Sequence, residues 1–344
     1  MVFPTAHWEE RSPEALDINP QKLREALAYL ASECGEDGLE EVFITVKGYV
    51  IYKGDSIHKK HNIYSCTKSF TSSVLGILSD KEMLSEETYA REIDTALAIL
   101  YPEVQLKHFA SMTSGYSGKG ATRWNEVSED WSWTPYLMDV PLFVPGTEYA
   151  YWDEAQMMFG RLLTLKTGQS LQSIFDKQLG KTIGLGEYEW GTEPDILLPE
   201  LTMNNGCTGI HINAEQLARF GHLYLNEGNW NGKQLLSWEW IVKATQNQVF
   251  TDILANTDRK KADGRGCYGY NWWVNDKKPS GAYHMPDAPK SLYYASGFNN
   301  NMCFVIPEWE MVFVRRGEDG NPSKGKPVVY NEFFRLMGLA VTDR

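Results

Sequence analysis

Apolar residues recur with the period of an α-helix near the start of the chain. In the stretch DINPQKLREALAYLASECG they are spaced three or four residues apart, at Leu23, Leu27 and Leu30. Asn19 can cap such a helix, Pro20 suits its first position, and Gly35 can end it. The pattern therefore predicts an amphipathic helix between Asn19 and Gly35.

Strand-like patterns occur near both ends of the chain. In EVFITVKGYVIYKGD, two runs rich in β-branched and aromatic residues flank Lys47-Gly48, which predicts a β-hairpin. Towards the other end, LYYASGFNN, MCFVI and MVFVRRG are typical of antiparallel strands, with PEWE as the turn between the last two. The stretch VVYNEFFRLMGLA then predicts a closing helix.

The middle of the chain favours helices and loops. One helix is predicted from about Ser65 to Ser79, and another follows VPGTEYAYWD and ends before Gly168. A third is capped by Asn213 and ends near Gly228.

This order of elements predicts a mixed α+β fold. Strands from both ends can pair into one antiparallel sheet flanked by helices, while the middle forms a mainly helical lobe. We expect residues 1–84 and 250–344 to form the sheet domain and residues 85–249 the helical domain. The cleft between the two domains is the expected place for an active site.

Composition and charge narrow the range of partners. The 344 residues are 42% hydrophobic and 23% charged, and the net charge of -12 comes without a dense basic stripe. We therefore expect no nucleic-acid partner, and no apolar run is long enough to predict a membrane span.

Five scattered cysteines without C-x-x-C spacing fit reduced thiols. The first residues lack an apolar stretch of signal-peptide length, so we expect a soluble, cytoplasmic protein unless a leader has been removed.

The first candidate for chemistry is the stretch YSCTKSF, which contains Ser65 and Lys68. At a helix N-terminus, a spacing of three brings the Lys68 amine within reach of the Ser65 hydroxyl. A serine hydroxyl needs a base at neutral pH, and a desolvated lysine can serve as that base. The helix N-terminus also directs N–H groups at a developing negative charge. The alternative is that Ser65 merely caps the helix and Lys68 is solvated.

The second candidate is the stretch PGTEYAYWDEAQ. Here Tyr151 can relay a proton to a leaving group, and the Asp153 carboxylate can hold Lys68 in place. Asp153 followed by Gln156 also fits a capping box, and Tyr151 also fits a position in the core.

The third candidate is Ala295-Ser296-Gly297, at the end of an apolar strand. A glycine on a strand edge lets a substrate backbone approach closely. The N–H of Phe298 can then act as an oxyanion donor beside that of Ser65. A bulge or a turn is the alternative.

Taken together, the three stretches resemble the serine β-lactamase and penicillin-binding-protein superfamily. The resemblance is to its class C β-lactamase-like branch, which includes esterases, peptidases and 6-aminohexanoate-dimer hydrolases. That branch carries S-x-x-K, then Y-x-N, then a strand with K-T-G or H-x-G. The stretches LKHFASMTSGY, INAEQLARFGHLYLNEGNWNGKQLLSWEWI and SGFNNNMCFVIPEWEMVFVRRG are also similar to segments of this branch, so the resemblance covers roughly residues 20–340.

The resemblance implies a β-lactamase-like fold and an acyl-enzyme mechanism without a cofactor or metal. Ser65 corresponds to the acylated nucleophile, Lys68 to its base or proton partner, and Tyr151 to the proton shuttle. Which of Lys68 and Tyr151 takes the serine proton differs between accounts of this superfamily. Ser296 and Gly297 correspond to the strand that lines the substrate pocket.

Two positions depart from the pattern of the branch. Asp153 stands where Y-x-N has asparagine, and a carboxylate near Lys68 favours its charged form. A charged Lys68 cannot accept the serine proton, so either Tyr151 is the base or Asp153 is protonated. Ala295 stands where members that recognise β-lactams have lysine or histidine, which argues against efficient β-lactam hydrolysis. Arg315 or Arg316 can replace that cation, although an arginine at a strand end is more often solvated.

Tryptophans concentrate near the candidate site. In the superfamily this part of the chain forms loops around the active site, so a hydrophobic wall for the substrate and plain packing are equal alternatives. The residues concerned are Trp124, Trp131, Trp133 and Trp152.

Two histidines, His58 and His61, lie in the stretch HKKH. We expect them to be solvated and not to bind zinc as a pair.

The predicted function is a serine hydrolase that acts on a small ester or amide through an acyl-enzyme. The first alternative is a penicillin-binding-protein-like module that is acylated, or binds its ligand, without turnover. The second is a relative with an inactive site. The sequence gives no prediction of the oligomeric state.

Overall fold

The structure is a computed structural model that describes residues 1–119, 135–195, 197–255 and 262–341. Its α-helices, numbered in chain order, are α1 Pro20–Glu33, α2 Thr67–Asp80, α3 Leu106–Ala110, α4 Asp153–Thr167, α5 Leu171–Phe175, α6 Lys181–Ile183, α7 Ala214–Leu225, α8 Trp238–Ala244 and α9 Lys326–Val341. A π-helical turn, Asp176–Gly180, joins α5 to α6. The 3-10 turns include Pro13–Leu16, Tyr64–Cys66, Ala90–Glu92, Thr95–Ala98 and Pro307–Trp309.

The strands are short outside one central sheet. They are β1 Glu9–Glu10, β2 Phe43–Val46, β3 Tyr49–Lys53, β4 His61–Asn62, β5 Glu148–Tyr149, β6 Glu189–Trp190, β7 Ile210–Ile212, β8 Asn229–Trp230, β9 Lys233–Gln234, β10 Leu254–Ala255, β11 Trp273–Val274, β12 Tyr293–Gly297, β13 Asn301–Ile306 and β14 Met311–Arg315.

The central sheet is built from both ends of the chain, as the sequence predicted. Its strand order is β1-β3-β2-β14-β13-β12-β11, and its pairs are antiparallel except for β1 with β3. The mixed α+β class is therefore confirmed. Strand β14 pairs with β2, so the junction between the two ends lies in the middle of the sheet.

Local signals in the sequence set the first helix and the first hairpin. The Asn19 side chain accepts the N–H groups of Gln21 and Lys22, and Pro20 begins α1. Lys47 and Gly48 both have positive φ, which suits a two-residue turn between β2 and β3. Both predictions are confirmed.

Helices cover both faces of the sheet. Helices α1 and α9 pack on each other and on one face, where the core includes Leu27, Phe304 and Phe333. Helices α2 and α7 belong to the core on the opposite face, and α7 packs directly on β13 and β14. Burial of these apolar faces is the main source of stability, at roughly 25 cal/mol for each Å² of apolar surface removed from water.

The C-terminal end of β12 has an edge that β11 does not cover, and this edge lies beside the candidate active site. Strand β11 pairs with β12 only through Tyr293 and Tyr294, so the last residues of β12 lie beyond the end of β11. The N–H of Asn275 donates to the Leu292 carbonyl, which shows that the even-numbered residues turn their backbone groups towards β11. Gly297 ends β12, and the same alternation predicts that the N–H of Phe298, the next residue, points to the free edge.

All five cysteines are buried and free of disulfide bonds, as predicted for reduced thiols. Across the described ranges, the helices lack the combined length and apolar character that crossing a membrane requires.

Candidate active site

Ser65 lies in the 3-10 turn Tyr64–Cys66, directly before α2. The chain enters this turn through Tyr64, whose positive φ of 48° is unfavourable for an aromatic residue by about 1–2 kcal/mol. The Asn62 side chain holds the turn, because its Oδ1 accepts the Tyr64 N–H at 2.8 Å and the Gly209 N–H at 3.1 Å. The nucleophile candidate therefore sits on a bend that is fixed from two sides.

Lys68 contacts Ser65 from the first turn of α2. Its Nζ lies 2.8 Å from Ser65 Oγ and 3.2 Å from the carbonyl oxygen of Cys207. Only 1% of the Lys68 side chain is exposed, so it is not the solvated lysine of the alternative reading.

Asp153 is the carboxylate partner of Lys68. The distance from Lys68 Nζ to Asp153 Oδ1 is 2.8 Å, and Asp153 is the first residue of α4. The capping-box alternative does not apply, because the residue before the helix is Trp152 and no side chain caps it. Gln156 instead bonds to the Phe109 carbonyl and to Asn271.

Tyr151 lies directly before α4 and next to both members of the serine–lysine pair. Lys68 Nζ is 4.8 Å from the centre of the Tyr151 ring. Hydrogen bonding from the Ser65 and Lys68 side chains opposes the rise in the pKa of the phenol. The rings of Tyr268 and Trp273 pack beside it, each with 6.3 Å between ring centres. The alcohol, the amine and the phenol are thus assembled in one place.

The electrostatics of the site decide the resting protonation states. Burial is the largest single effect and disfavours the charge on Lys68, but the neighbouring groups, with Asp153 first among them, together outweigh it, and the pKa of Lys68 is raised above its ordinary value. Burial raises the pKa of Tyr151, although Lys68 opposes that shift. At neutral pH the site therefore holds an ammonium group beside a neutral phenol.

Gly297 brings the edge of β12 against the serine turn. A Cβ at this position would lie 2.1 Å from the carbonyl oxygen of Ile63 and 3.3 Å from the Cys66 nitrogen. Only a glycine allows so close an approach of two backbones. Phe298 follows at the free edge, with its ring 54% exposed and edge-on to Tyr64.

The position that departs from the K-T-G pattern holds no cation. Ala295 is 1% exposed and belongs to the core. Arg315 and Arg316 do not take its place, nor are they solvated. Both are fully buried. Arg315 binds Asp319, and Arg316 binds the carbonyls of residues 59 and 61.

The tryptophans give little support to a substrate wall. Trp152 is 5% exposed and packs in the core, which fits the packing alternative for this side chain. Trp124, Trp131 and Trp133 lie outside the described residues.

Two features near the site were missed by the sequence reasoning. Lys326, the first residue of α9, donates from Nζ to the carbonyl oxygen of Gly297 and to Ser296 Oγ. His61 is not solvated, since it is 6% exposed and its Nε2 lies 2.8 Å from a carboxylate oxygen of Glu41. No local pattern marks either contact, because the partners are distant in sequence.

No group suited to bind a metal is present in the part of the chain that the structure describes. There, no three side chains of His, Cys, Asp or Glu come together as a metal site needs.

Comparison with known proteins identifies a family and a shared fold. A family model described as Beta-lactamase matches residues 55–315. A Bacillus anthracis protein named for 6-aminohexanoate-dimer hydrolase activity has the same fold, with a TM-score of 0.70, 17% identity, and coverage of 97% of this chain and 87% of its own. A family VIII carboxylesterase has a TM-score of 0.68, 16% identity, and coverage of 93% and 96%.

One curated relative is similar over part of its length. It is an uncharacterized protein of Alkalihalophilus pseudofirmus, 24% identical over 186 residues, which are 50% of this chain and 53% of the relative. The match therefore spans about half of that protein.

Proposed function

The chain belongs to the beta-lactamase family, and on that premise we propose that it is a serine hydrolase acting on an ester or amide through an acyl-enzyme. The main support for the proposal is the position of Lys68 between Ser65 and Asp153. Lys68 Nζ lies 2.8 Å from both Ser65 Oγ and Asp153 Oδ1, beneath the Tyr151 ring. A half-buried alcohol and phenol beside a buried ammonium are the parts that acyl transfer to a serine requires.

In the first step, Ser65 Oγ attacks the carbonyl carbon of the substrate. The Tyr151 oxygen accepts the Ser65 proton, and the phenol passes its own proton to the leaving group. The new bond joins Oγ to the acyl carbon, and the bond to the leaving group breaks. A neutral phenol can perform both transfers in one relay, so no phenolate has to exist at rest.

Lys68 acts in this scheme as a charge and not as the base. The Asp153 carboxylate keeps its amine protonated, and the ammonium stabilises negative charge that develops on the oxygens of Ser65 and Tyr151. This assignment chooses between the two candidates for the base that the sequence left open.

The oxyanion of the tetrahedral intermediate is assigned to two backbone N–H groups. One belongs to Ser65, at the start of the helix, and the other to Phe298, at the free edge of β12. The contact of Gly297 with Ile63 supports this assignment, because it brings the two backbones together. Water then enters, and its oxygen attacks the acyl carbon while its proton passes to the Tyr151 relay. The bond between Ser65 Oγ and the acyl carbon breaks, the relay returns a proton to Oγ, and the acid leaves.

We expect a small ester or amide as the substrate, and esters in preference to β-lactams. The named structural relatives include an amide hydrolase and an esterase, and they support this class. The buried Ala295 offers no cation to a β-lactam carboxylate.

A second candidate is a module that is acylated without turnover. The charged state of Lys68 favours it, because a lysine held as an ammonium cannot activate the water for deacylation. The two candidates differ in steady-state turnover and not in acylation.

Hydrolysis of a p-nitrophenyl ester by the protein and by Ser65→Ala tests both. The proposal expects sustained turnover that Ser65→Ala loses, while Ser323→Ala, a variant of an exposed serine, keeps it. A burst without turnover supports the binding module. Equal turnover in Ser65→Ala and the parent overturns the assignment of Ser65.

A further inference from the structure

Lys326 reaches the end of β12 from the start of the C-terminal helix α9. It is the first residue of α9, and its Nζ donates to the carbonyl oxygen of Gly297 and, at 3.2 Å, to Ser296 Oγ. These two residues precede Phe298, whose N–H is the proposed oxyanion donor.

Lys326 carries its charge without a carboxylate. Within the described ranges no Asp or Glu pairs with it, and both of its hydrogen bonds go to neutral oxygens. The groups that act on its charge are the Cys66 thiol, from the serine turn, and the Arg315 guanidinium, from β14, which is bound to Asp319. Burial lowers the pKa of Lys326 to about 8, so the ammonium form still prevails at neutral pH.

The peptide group between Gly297 and Phe298 connects this charge to the site. All peptide bonds of the described chain are trans, so the Gly297 carbonyl and the Phe298 N–H point in opposite directions. The carbonyl faces Lys326, so the N–H points away from Lys326, on the side that the alternation along β12 assigns to the free edge. A charged donor at the carbonyl oxygen withdraws electrons along the peptide and makes its N–H a stronger donor.

We propose that Lys326 is a positioning residue for the oxyanion site, which holds and polarises the Gly297–Phe298 peptide so that the Phe298 N–H binds the oxyanion. This rests on the proposed function. The ammonium does not touch the reacting atoms, and its effect arrives through one peptide group. A purely structural role, in which Lys326 only anchors α9 to β12, leaves the strength of that donor unchanged.

The test measures the acylation rate of Ser65 by an activated ester as a function of pH. Lys326→Met removes the charge, and Lys326→Arg keeps a charge at alkaline pH, because guanidinium does not lose its proton there. Lys324→Met is the matched control, since Lys324 is two residues away and pairs with Glu33 on the surface.

At pH 7 we expect Lys326→Met to acylate about tenfold more slowly than the parent, and Lys324→Met to match the parent. The rate of the parent should fall above about pH 8, where Lys326 loses its proton. This alkaline fall should be absent in Lys326→Arg, even if its rate is lower throughout. Should Lys326→Met fail to fold, the comparison of the parent with Lys326→Arg decides alone.

An unchanged rate in folded Lys326→Met overturns the inference, and so does an alkaline fall that Lys326→Arg shares with the parent. In both cases the parent is still acylated at Ser65, so the proposed function stands. A parent that is never acylated at Ser65 overturns the proposed function and this inference together.

Discussion

Lys68 and Asp153 form a buried ion pair at the centre of the candidate site, with 2.8 Å between Nζ and Oδ1. The Lys68 side chain is 1% exposed and that of Asp153 is 12% exposed. Water therefore screens the pair only weakly, and each charge depends on the other. The same contact links α2 to α4 and sets the protonation state of the only lysine that touches Ser65 among the described residues.

Asp153→Asn should reverse the pKa shift of Lys68. Without the carboxylate, burial dominates and the pKa falls below its ordinary value. We expect a loss of up to about 3–5 kcal/mol in the free energy of unfolding at neutral pH. Urea unfolding of both proteins measures it, and Asp55→Asn, at an exposed position, is the control.

The pH dependence of that loss has a definite sign. In the parent the pKa of Lys68 is raised, so the stability it contributes is present below its unfolded pKa and is lost only above that value. In Asp153→Asn the folded pKa lies below the unfolded one, so the variant gains stability as the pH rises between them. The gap between the two proteins should narrow from neutral pH to about pH 10; a gap that widens would contradict the account.

Tyr151→Phe should abolish the relay and leave the fold intact. The ring keeps its contacts with Tyr268 and Trp273, but the oxygen that carries the proton is gone. We expect acylation to slow by about 10²–10⁴-fold, the usual contribution of general acid–base catalysis. The burst of p-nitrophenol from an activated ester measures this rate.

Tyr149→Phe provides a matched control for the relay. Tyr149 lies two residues before Tyr151 and is buried, and its hydroxyl has no hydrogen-bond partner among the described residues. Its removal should leave acylation unchanged. If the two variants lose activity equally, the phenol of Tyr151 has no special role.

Gly297→Ala should damage both the fold and the site. The new Cβ would lie 2.1 Å from the Ile63 carbonyl oxygen, a backbone atom that cannot rotate away. We expect a loss of about 1–3 kcal/mol in stability and at least about tenfold in acylation rate, because the oxyanion donors separate.

Gly338→Ala is the control for that substitution. Its Cβ would make an ordinary contact of 3.8 Å with Trp309, inside helix α9, where alanine favours the helix. Thermal unfolding and the ester assay should show no loss. Normal acylation by Gly297→Ala would exclude the assigned position of the oxyanion donors.

Esters should be hydrolysed more efficiently than a chromogenic cephalosporin, by at least about tenfold in kcat/KM. Ala295 is buried, Arg315 and Arg316 are engaged away from the site, and the Lys326 ammonium is held by the Gly297 carbonyl and Ser296. None of these groups is therefore free to bind a β-lactam carboxylate. A tenfold difference corresponds to about 1.4 kcal/mol, less than one charged hydrogen bond contributes. The opposite preference would show that another group supplies the cation.

Much of the fold could be predicted because its signals are local. Asn19 and Pro20 mark the start of a helix by their own backbone preferences, and Lys47-Gly48 marks a turn. The pairing of strands from the two ends of the chain followed from the lack of other partners. The contact of α7 with β13 and β14 could not be predicted, because an amphipathic helix does not indicate which surface covers it.

In the candidate site too, the contacts that a sequence motif marks could be predicted, and the contacts without a motif could not. The spacing of Ser65 and Lys68 is local and predicts their contact, and Asp153 followed as the expected partner of the lysine. Lys326 could not be found, since a lysine at the start of a helix has the same pattern whether it is solvated or buried. His61 was misread for the same reason, because its partner Glu41 lies on a distant segment.

The most direct test is peptide mass spectrometry after treatment with a fluorophosphonate. The account predicts one adduct, on the peptide that contains Ser65, and none on Ser65→Ala. An adduct that persists in Ser65→Ala, or a parent protein that stays unlabelled while it hydrolyses esters, would contradict the assignment of Ser65 as the nucleophile.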